Sequence, residues 1–442
     1  MHDTAVRVLI GDSLGFHIFF VMIGITLPIL ISIFEYRARR HHDMALREQV
    51  RLWTTAASVF VITGVVSGTL IAVQLALMWP QFMAFVSKVV GPAFMFEGYF
   101  FLMEAAFLSW YVASWDTITG FRHWLIGLGT AIGALGSAVV ITLVNGWMNQ
   151  PVGFTLMHGE PTEVNIASAL FTSTGFVTVF HSILSYITTV TLAMAGIYAL
   201  AITRRTLPSA KHRLFRQLAL QLSTIGLMAG VLTAVFGDLT AKNLLVVNPQ
   251  KLAAYELQMK TETGSPLRLG GYYNEKAGQV EGAVEIPKLL SILATGDSNG
   301  RVQGLDATPR RDWPPLVTHL LFDIKMATAI IALAIPAGLL LLQLHYFQQR
   351  WRLLQAIMWR LLPLAGIAAF VTVELGWVMA EVGRQPYVIK GIMLTANSYL
   401  EDASIMTFGY AFPIAFVLLL IATWIALPIA LRRTHARQRR KS

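Results

Sequence analysis

The chain has 442 residues, 55% of them hydrophobic and only 13% charged, about half the charged fraction of a soluble domain of this size. That composition excludes a soluble globular protein. The absence of cysteine excludes disulfides, thiolate metal sites, iron–sulfur clusters and covalently attached haem, so any metal must be held by His, Met or carboxylate. The formal net charge of +10 sits in short segments between apolar runs, where membrane orientation accounts for it, and nucleic acid is not a partner.

Taken in chain order, the apolar runs predict about nine transmembrane helices, near 15–34, 53–79, 91–113, 123–145, 172–202, 215–237, 315–343, 357–382 and 405–431. The run from Phe16 to Phe34 carries no Asp, Glu, Lys or Arg and is long enough for a bilayer core of about 30 Å. It is not read as a signal peptide, because its leader has one Arg and two Asp and no small-residue cleavage site follows. The stretch 164–174 reads as an interfacial lead-in to the fifth span. Arg37, Arg39, Arg40, Arg47 and Arg51 follow span one, and Arg204, Arg205, Lys211, Arg213 and Arg216 follow span five. Arg350 and Arg352 follow span seven, and the basic tail 432–441 follows span nine, whereas 146–165 has no Lys or Arg. The expectation is therefore an all-α integral membrane protein with its N-terminus outside and its C-terminus cytoplasmic. The chain divides into helices one to six (1–237), a polar extracytoplasmic loop (238–314), and helices seven to nine with the tail (315–442). A loop of that length beside a membrane core is usually functional or disordered.

Ionisable groups inside spans are costly, so each is a candidate for function. His17 and His181 lie in apolar surroundings, and each is open to a ligand or proton role or to a structural hydrogen bond. His123, His319 and His345 fall in loops or at span ends. Met326 lies in the seventh span; a His and a Met on different helices can form the axial pair of a low-spin haem. Glu97 and Glu104 are seven residues apart and so face one side of the third span, either as a packing pair or, preferably, as a proton relay. At the end of the eighth span, Glu374, Trp377, Glu381 and Arg384 are spaced to share one helix face. A carboxylate there could hold haem iron and an Arg could pair with propionates. By spacing alone, Lys251 and Glu256 in the outer loop are a solvated helix face.

Four segments carry a resemblance to subunit I of the cytochrome bd quinol oxidases: 145–153 (NGWMNQPVG), Gly237-Asp238, 251–256 (KLAAYE) and 373–386 (VELGWVMAEVGRQP). The resemblance runs over nearly the whole chain. It implies that His181 and Met326 are the axial ligands of a low-spin haem b. It makes His17 and Glu381 ligands of the two haems of the oxygen-reducing pair, without deciding which holds the oxygen-binding one. Trp377 resembles the family's tryptophan beside these haems, and Arg7 and Arg384 its propionate partners. Glu97 and Glu104 resemble its proton-pathway carboxylates, with Ser137 and Asn145 as polar companions on span four. Lys251 and Glu256 match its quinol-site pair. The implied cofactors are two haem b and one haem d, or b-type haem in place of haem d. The implied partners are a subunit II, a small single-span subunit, quinol, dioxygen and the lipid bilayer.

The sequence departs from the family pattern in a short loop, in Tyr387 where Trp is usual, in the order Asn149-Gln150, and in Ile324 where some members have Arg. The implied activity is a bd-type terminal oxidase in the bacterial cytoplasmic (inner) membrane. It would oxidise quinol at the outer face and reduce dioxygen to water with cytoplasmic protons, generating proton motive force without pumping. One alternative is a non-oxidase membrane cytochrome b, which leaves Glu381 and Trp377 unexplained. Another is a secondary transporter, for which the sequence shows none of the internal repeats common in such proteins.

Overall fold

A computed structural model describes residues 2–204, 206–400 and 409–439. Arg205, residues 405–408 of the ninth predicted span and the end of the basic tail lie outside these. Among the described residues, nine helices are long and apolar enough to cross a membrane. They are α1 (His2–Arg40), α2 (Met44–Met78), α3 (Pro80–Ala113), α4 (Phe121–Asn149), α6 (Ser173–Arg204), α7 (Ser209–Val247), α10 (Val317–Leu341), α12 (Arg352–Val382) and α13 (Ala411–Arg439). Short helices α5 (Ile166–Leu170), α8 (Pro249–Tyr255), α9 (Leu289–Thr295) and α11 (His345–Arg350) lie between them. In lipid every backbone polar group must be satisfied within its own segment, which is why each apolar run is a helix.

The chain forms two compact units. The first comprises Met1–Val144, Phe154–Ile166 and Ser398–Ser442, and so holds α1–α3, most of α4 and α13. Local chemistry sets its helix ends. The Asp43 side chain accepts the Leu46 N–H at 2.9 Å and caps α2, while Arg37, Arg39 and Arg40 stand in the last turn of α1, favourably placed on the helix dipole. Pro80 has no N–H to continue α2 and instead occupies the first turn of α3. Helices α3 and α4 pack closely through glycines. A Cβ on Gly133 would lie 2.6 Å from the Glu104 backbone nitrogen, and one on Gly127 would lie 2.8 Å from the Tyr111 ring. Small residues of this kind let membrane helices approach.

The second unit comprises Asn145–Gly153 and Ala167–Asn397. Here α6 packs on α7 and α12, and α10 packs on α7 and α12. A Cβ on Gly196 would lie 2.8 Å from Pro363 Cα, and one on Gly366 would lie 2.6 Å from Ala193 Cα, so α6 and α12 nearly touch. The segment joining α7 to α10 is ordered by three antiparallel two-stranded ribbons: Glu262–Thr263 with Arg301–Val302, Leu267–Leu269 with Val284–Ile286, and Tyr272–Asn274 with Gln279–Glu281. Leu252, Tyr255, Leu290 and Val302 from this segment join Leu244 of α7 and Met379 of α12 in one apolar cluster.

Two local expectations differ from the structure. Helix α7 runs ten residues past Gly237, to Val247, because 238–247 contains neither Gly nor Pro and the first break is Asn248-Pro249. Helix α12 ends at Val382, so Arg384 lies on the turn beyond it rather than on the helix face with Glu374, Trp377 and Glu381.

Candidate functional site

In the first unit, His17 of α1 meets α2. Ser67 Oγ donates its hydrogen to the Gly64 carbonyl at 3.0 Å, so its contact with His17 Nδ1 at 2.8 Å is one in which Nδ1–H donates. The imidazole is thereby held with Nε2 unprotonated, the form that ligates a metal. Gly68 lies against the ring, and a Cβ there would be 3.1 Å from His17 Cε1. Arg7 lies on the same helix, ten residues earlier.

In the second unit, His181 of α6 is prepared in the same way. Its Nδ1–H donates to the Thr233 carbonyl of α7 at 3.0 Å, leaving the Nε2 lone pair free. A metal-bound His almost always has this kind of partner on its other nitrogen. Gly237, one turn on, makes room for the ring: a Cβ there would be 3.3 Å from His181 Cε1. Met326 belongs to the same depth. A Cβ on Gly230 of α7 would meet the Leu333 side chain of α10, while Ala241 and Leu245 of α7 share a cluster with Leu321 and Phe322 of α10. The two helices therefore run antiparallel, and seven residues along each from the Gly230–Leu333 contact are Gly237 and Met326. Met326 is 44% exposed, so its thioether is not consumed by packing.

Near the end of α12, the Trp377 indole N–H donates to Glu374 Oε2 at 2.6 Å. The Arg384 guanidinium donates to Glu381 Oε1 at 2.7 Å, and the Asn145 amide donates to the same oxygen at 2.9 Å. Buried Arg384 Nε and Glu374 Oε1 have no hydrogen-bond partner. Such orphaned polar atoms call for an explanation, and a group carrying both metal and carboxylates supplies one.

The expected proton carriers divide between the units. Glu97 and Glu104 lie on α3, and the Ser137 hydroxyl of α4 donates to Glu97 Oε1 at 3.0 Å. Glu104 is buried against the backbone groove left by Gly133. Asn145 is joined to Glu381 instead, and belongs with that carboxylate rather than with Glu97 and Glu104.

Lys251 and Glu256 are not a solvated face: they are 4% and 6% exposed. Lys251 lies on α8 and donates to Asn149 Oδ1 at 3.0 Å and to the Ala380 carbonyl at 2.7 Å. Burial, with the neighbouring Arg384 charge, brings its ammonium down to about 7 against the pull of Glu381. Glu256 caps α8, and its Oε2 is buried without a partner. Burial, then the Asp323 carboxylate, pushes it up to about 8. The adjoining Leu257 opens on a cleft of about 480 Å3 lined by Tyr272, Tyr273, Arg310 and Trp313, with the Arg310 guanidinium 4.1 Å from the Trp313 ring centroid. An aromatic cleft beside a buried carboxyl suits a planar ring bearing hydroxyls.

His319 and Asn149 were not singled out for this site by sequence. His319 Nδ1 and Nε2 contact the Tyr255 and Gly270 carbonyls at 2.7 and 2.9 Å, fastening to α10 both the residue before Glu256 and the turn at Gly270. Its spacing of seven from Met326 is the one signal the sequence held for it.

Residues 6–435 match the model of the family described as cytochrome bd terminal oxidase subunit I. The chain is 32% identical over 417 residues to a Bacillus subtilis protein provisionally named cytochrome bd menaquinol oxidase subunit I, covering 92% of each. It is 26% identical to subunit 1 of a B. subtilis cytochrome bd ubiquinol oxidase, covering 93% of this chain and 91% of that one. Among solved structures, bd oxidase from Geobacillus thermodenitrificans superposes with a TM-score of 0.90 at 32% identity, covering 98% of both chains.

Proposed function

The chain belongs to the cytochrome bd terminal oxidase subunit I family, a multi-pass protein of the bacterial inner membrane and part of a terminal quinol oxidase, and from that membership we propose how its residues divide the work. His181 and Met326 hold one haem iron, and His17 and Glu381 hold the two others. Arg7 and Arg384 face the propionates, and Trp377 stands beside the haem pair. The bound complement is two haem b and one haem d, or b-type haem throughout. These groups supply electron transfer and the reduction of dioxygen.

The residues present fit that cofactor. His181 is the observation that carries the reading. Its Nδ1–H is spent on the Thr233 carbonyl, its Nε2 is bare, a glycine stands where a side chain would crowd the ring, and a thioether lies at the same depth.

Quinol docks in the cleft beside Glu256. Glu256 accepts a hydroxyl proton as the ring is oxidised, and Lys251 orients the ring through its hold on Asn149 and the carbonyl before Glu381. The released protons leave to the outside, the side on which alternation of the spans from the basic cytoplasmic segments puts this loop. Protons for water formation come from the cytoplasm along Glu104 and Glu97, with Ser137 steadying Glu97 and Asn145 steadying Glu381. Charge separation then follows from the two sides on which protons are released and taken, and no pumped proton is required. A subunit II and a small single-span subunit complete the assembly.

A reduced-minus-oxidised absorption spectrum of the purified complex, with and without carbon monoxide, tests the reading. A b-type band with a second band that shifts under carbon monoxide is expected. A complex without haem bands, or one blind to carbon monoxide, refutes it.

A further inference from the structure

One buried polar cluster of the first unit has no part in the reading above. Glu35, near the end of α1, is 2% exposed, yet both of its carboxyl oxygens are engaged. The Tyr111 hydroxyl of α3 donates to Oε2 at 2.7 Å, and His123 Nδ1 of α4 lies 2.6 Å from Oε1. The His123 ring, 1% exposed, stacks on Tyr111 with centroids 4.2 Å apart and meets the edge of Trp115 at 5.0 Å. Its Nε2 contacts the Tyr111 carbonyl at 3.2 Å. A carbonyl only accepts, so Nε2 carries a hydrogen. The Nδ1–Oε1 bond then shares a second one, which can sit on either partner.

A buried ion pair is a poor device for stability, since apolar side chains of the same volume often do as well. Its position suggests another use. Glu97, Glu104 and Tyr111 recur every seven residues along α3, and all three face α4. Ser137 donates to the first, Gly133 lies against the second and Gly127 against the third. The buried Thr130 hydroxyl stands midway between those two glycines. Each step is about 10.5 Å of helix rise, which about four hydrogen bonds of ~2.8 Å, relayed by about three waters, would span. The cluster lies at the end of this ladder where Arg37, Arg39, Arg40, Arg47 and Arg51 gather, the cytoplasmic end by the positive-inside rule.

We propose that Tyr111, Glu35 and His123 form the station that loads cytoplasmic protons onto Glu104 and Glu97, a proposal that rests on reading those two carboxylates as proton carriers. In one transfer the Nδ1 hydrogen of His123 passes to Glu35 Oε1. The Tyr111 hydroxyl releases Oε2 and turns its hydrogen toward Glu104. The protonated Glu35 carboxyl turns over to present its new hydrogen to Tyr111 Oη, and Glu35 passes that proton on as the Tyr111 hydroxyl hydrogen leaves. His123 then regains its hydrogen from the cytoplasmic side. One proton moves inward and no electron moves.

The test uses the intact oxidase in liposomes, with Glu35→Gln, His123→Gln and Tyr111→Phe, and Glu104→Gln as reference. Proton uptake after an oxygen pulse to the reduced enzyme is followed with a pH dye on the cytoplasmic side, and anaerobic haem reduction by quinol is followed separately. The expected result is uptake slowed about 100-fold in every variant, with haem content and anaerobic haem reduction as in the wild type. Tyr111→Phe keeps the ring stack, so it reports on the hydroxyl even where the other variants fold poorly. Fast uptake in the three station variants beside a slow Glu104→Gln overturns the station alone. Fast uptake in Glu104→Gln as well removes the carrier reading beneath it. Slowing that merely tracks lost haem in Tyr111→Phe makes the cluster structural and overturns the proposal.

Discussion

Replacing Glu256 by Gln should make the oxidase more stable in alkali and unable to oxidise quinol. The carboxyl is 6% exposed and its Oε2 has no partner; burial lifts it from 4.5 to about 8. That difference, at about 1.4 kcal/mol per unit, corresponds to roughly 5 kcal/mol. The folded protein binds this proton more tightly than the unfolded chain. The associated stability is therefore complete below pH 4.5 and is lost as pH rises through about 8. A glutamine amide stays neutral and has no such slope. Lys251 has the opposite sign, its stability being lost as pH falls through about 7, but it is common to both proteins and drops out of the difference. Thermal unfolding of the purified complex, read at the haem absorbance, should show the variant melting above the wild type at pH 9. The gap should close toward pH 5. Quinol oxidation should fall by about 100-fold or more at every pH, with haem content intact, while wild-type turnover should rise as pH approaches 8. A variant no more stable than the wild type at pH 9, or one that turns over normally, would refute the reasoning.

Three further outcomes are expected. Met326→Leu keeps the volume but removes the thioether, so the low-spin haem signal should vanish while the other haem bands remain; an unchanged spectrum would contradict the ligand assignment. Ser67→Ala deletes the acceptor for His17 Nδ1–H and should weaken metal-group binding at His17 by about 10- to 100-fold, measured as haem lost during dialysis against apomyoglobin. Gly133→Leu forces α3 and α4 apart where a Cβ alone would reach 2.6 Å from Glu104 N. Overpacking of this kind costs about 1–3 kcal/mol or more, so yield of assembled complex should drop, and normal yield would argue against the close seam.

Much of this protein is set locally and was therefore readable along the chain. A run of twenty apolar residues has one way to satisfy its backbone in lipid, so nine runs give nine helices among the described residues. Seven-residue spacing aligns Glu97 with Glu104 whatever else packs nearby. What could not be read is what meets what. A soluble helix announces its inner face by an apolar stripe, whereas a membrane helix is apolar all round, and the closeness of its neighbours depends on small residues and interhelical hydrogen bonds. Hence only the folded chain shows the Thr233 carbonyl on His181, Asn145 reaching Glu381 across 236 residues, and Glu35 wired to His123 across 88. Lys251 and Glu256 make the same point: their spacing suits a wet helix face, and the packing of α8 against the ends of α7 and α12 buries them. Burial is a property of the neighbours that tertiary structure brings, and with it comes the raised proton affinity of Glu256.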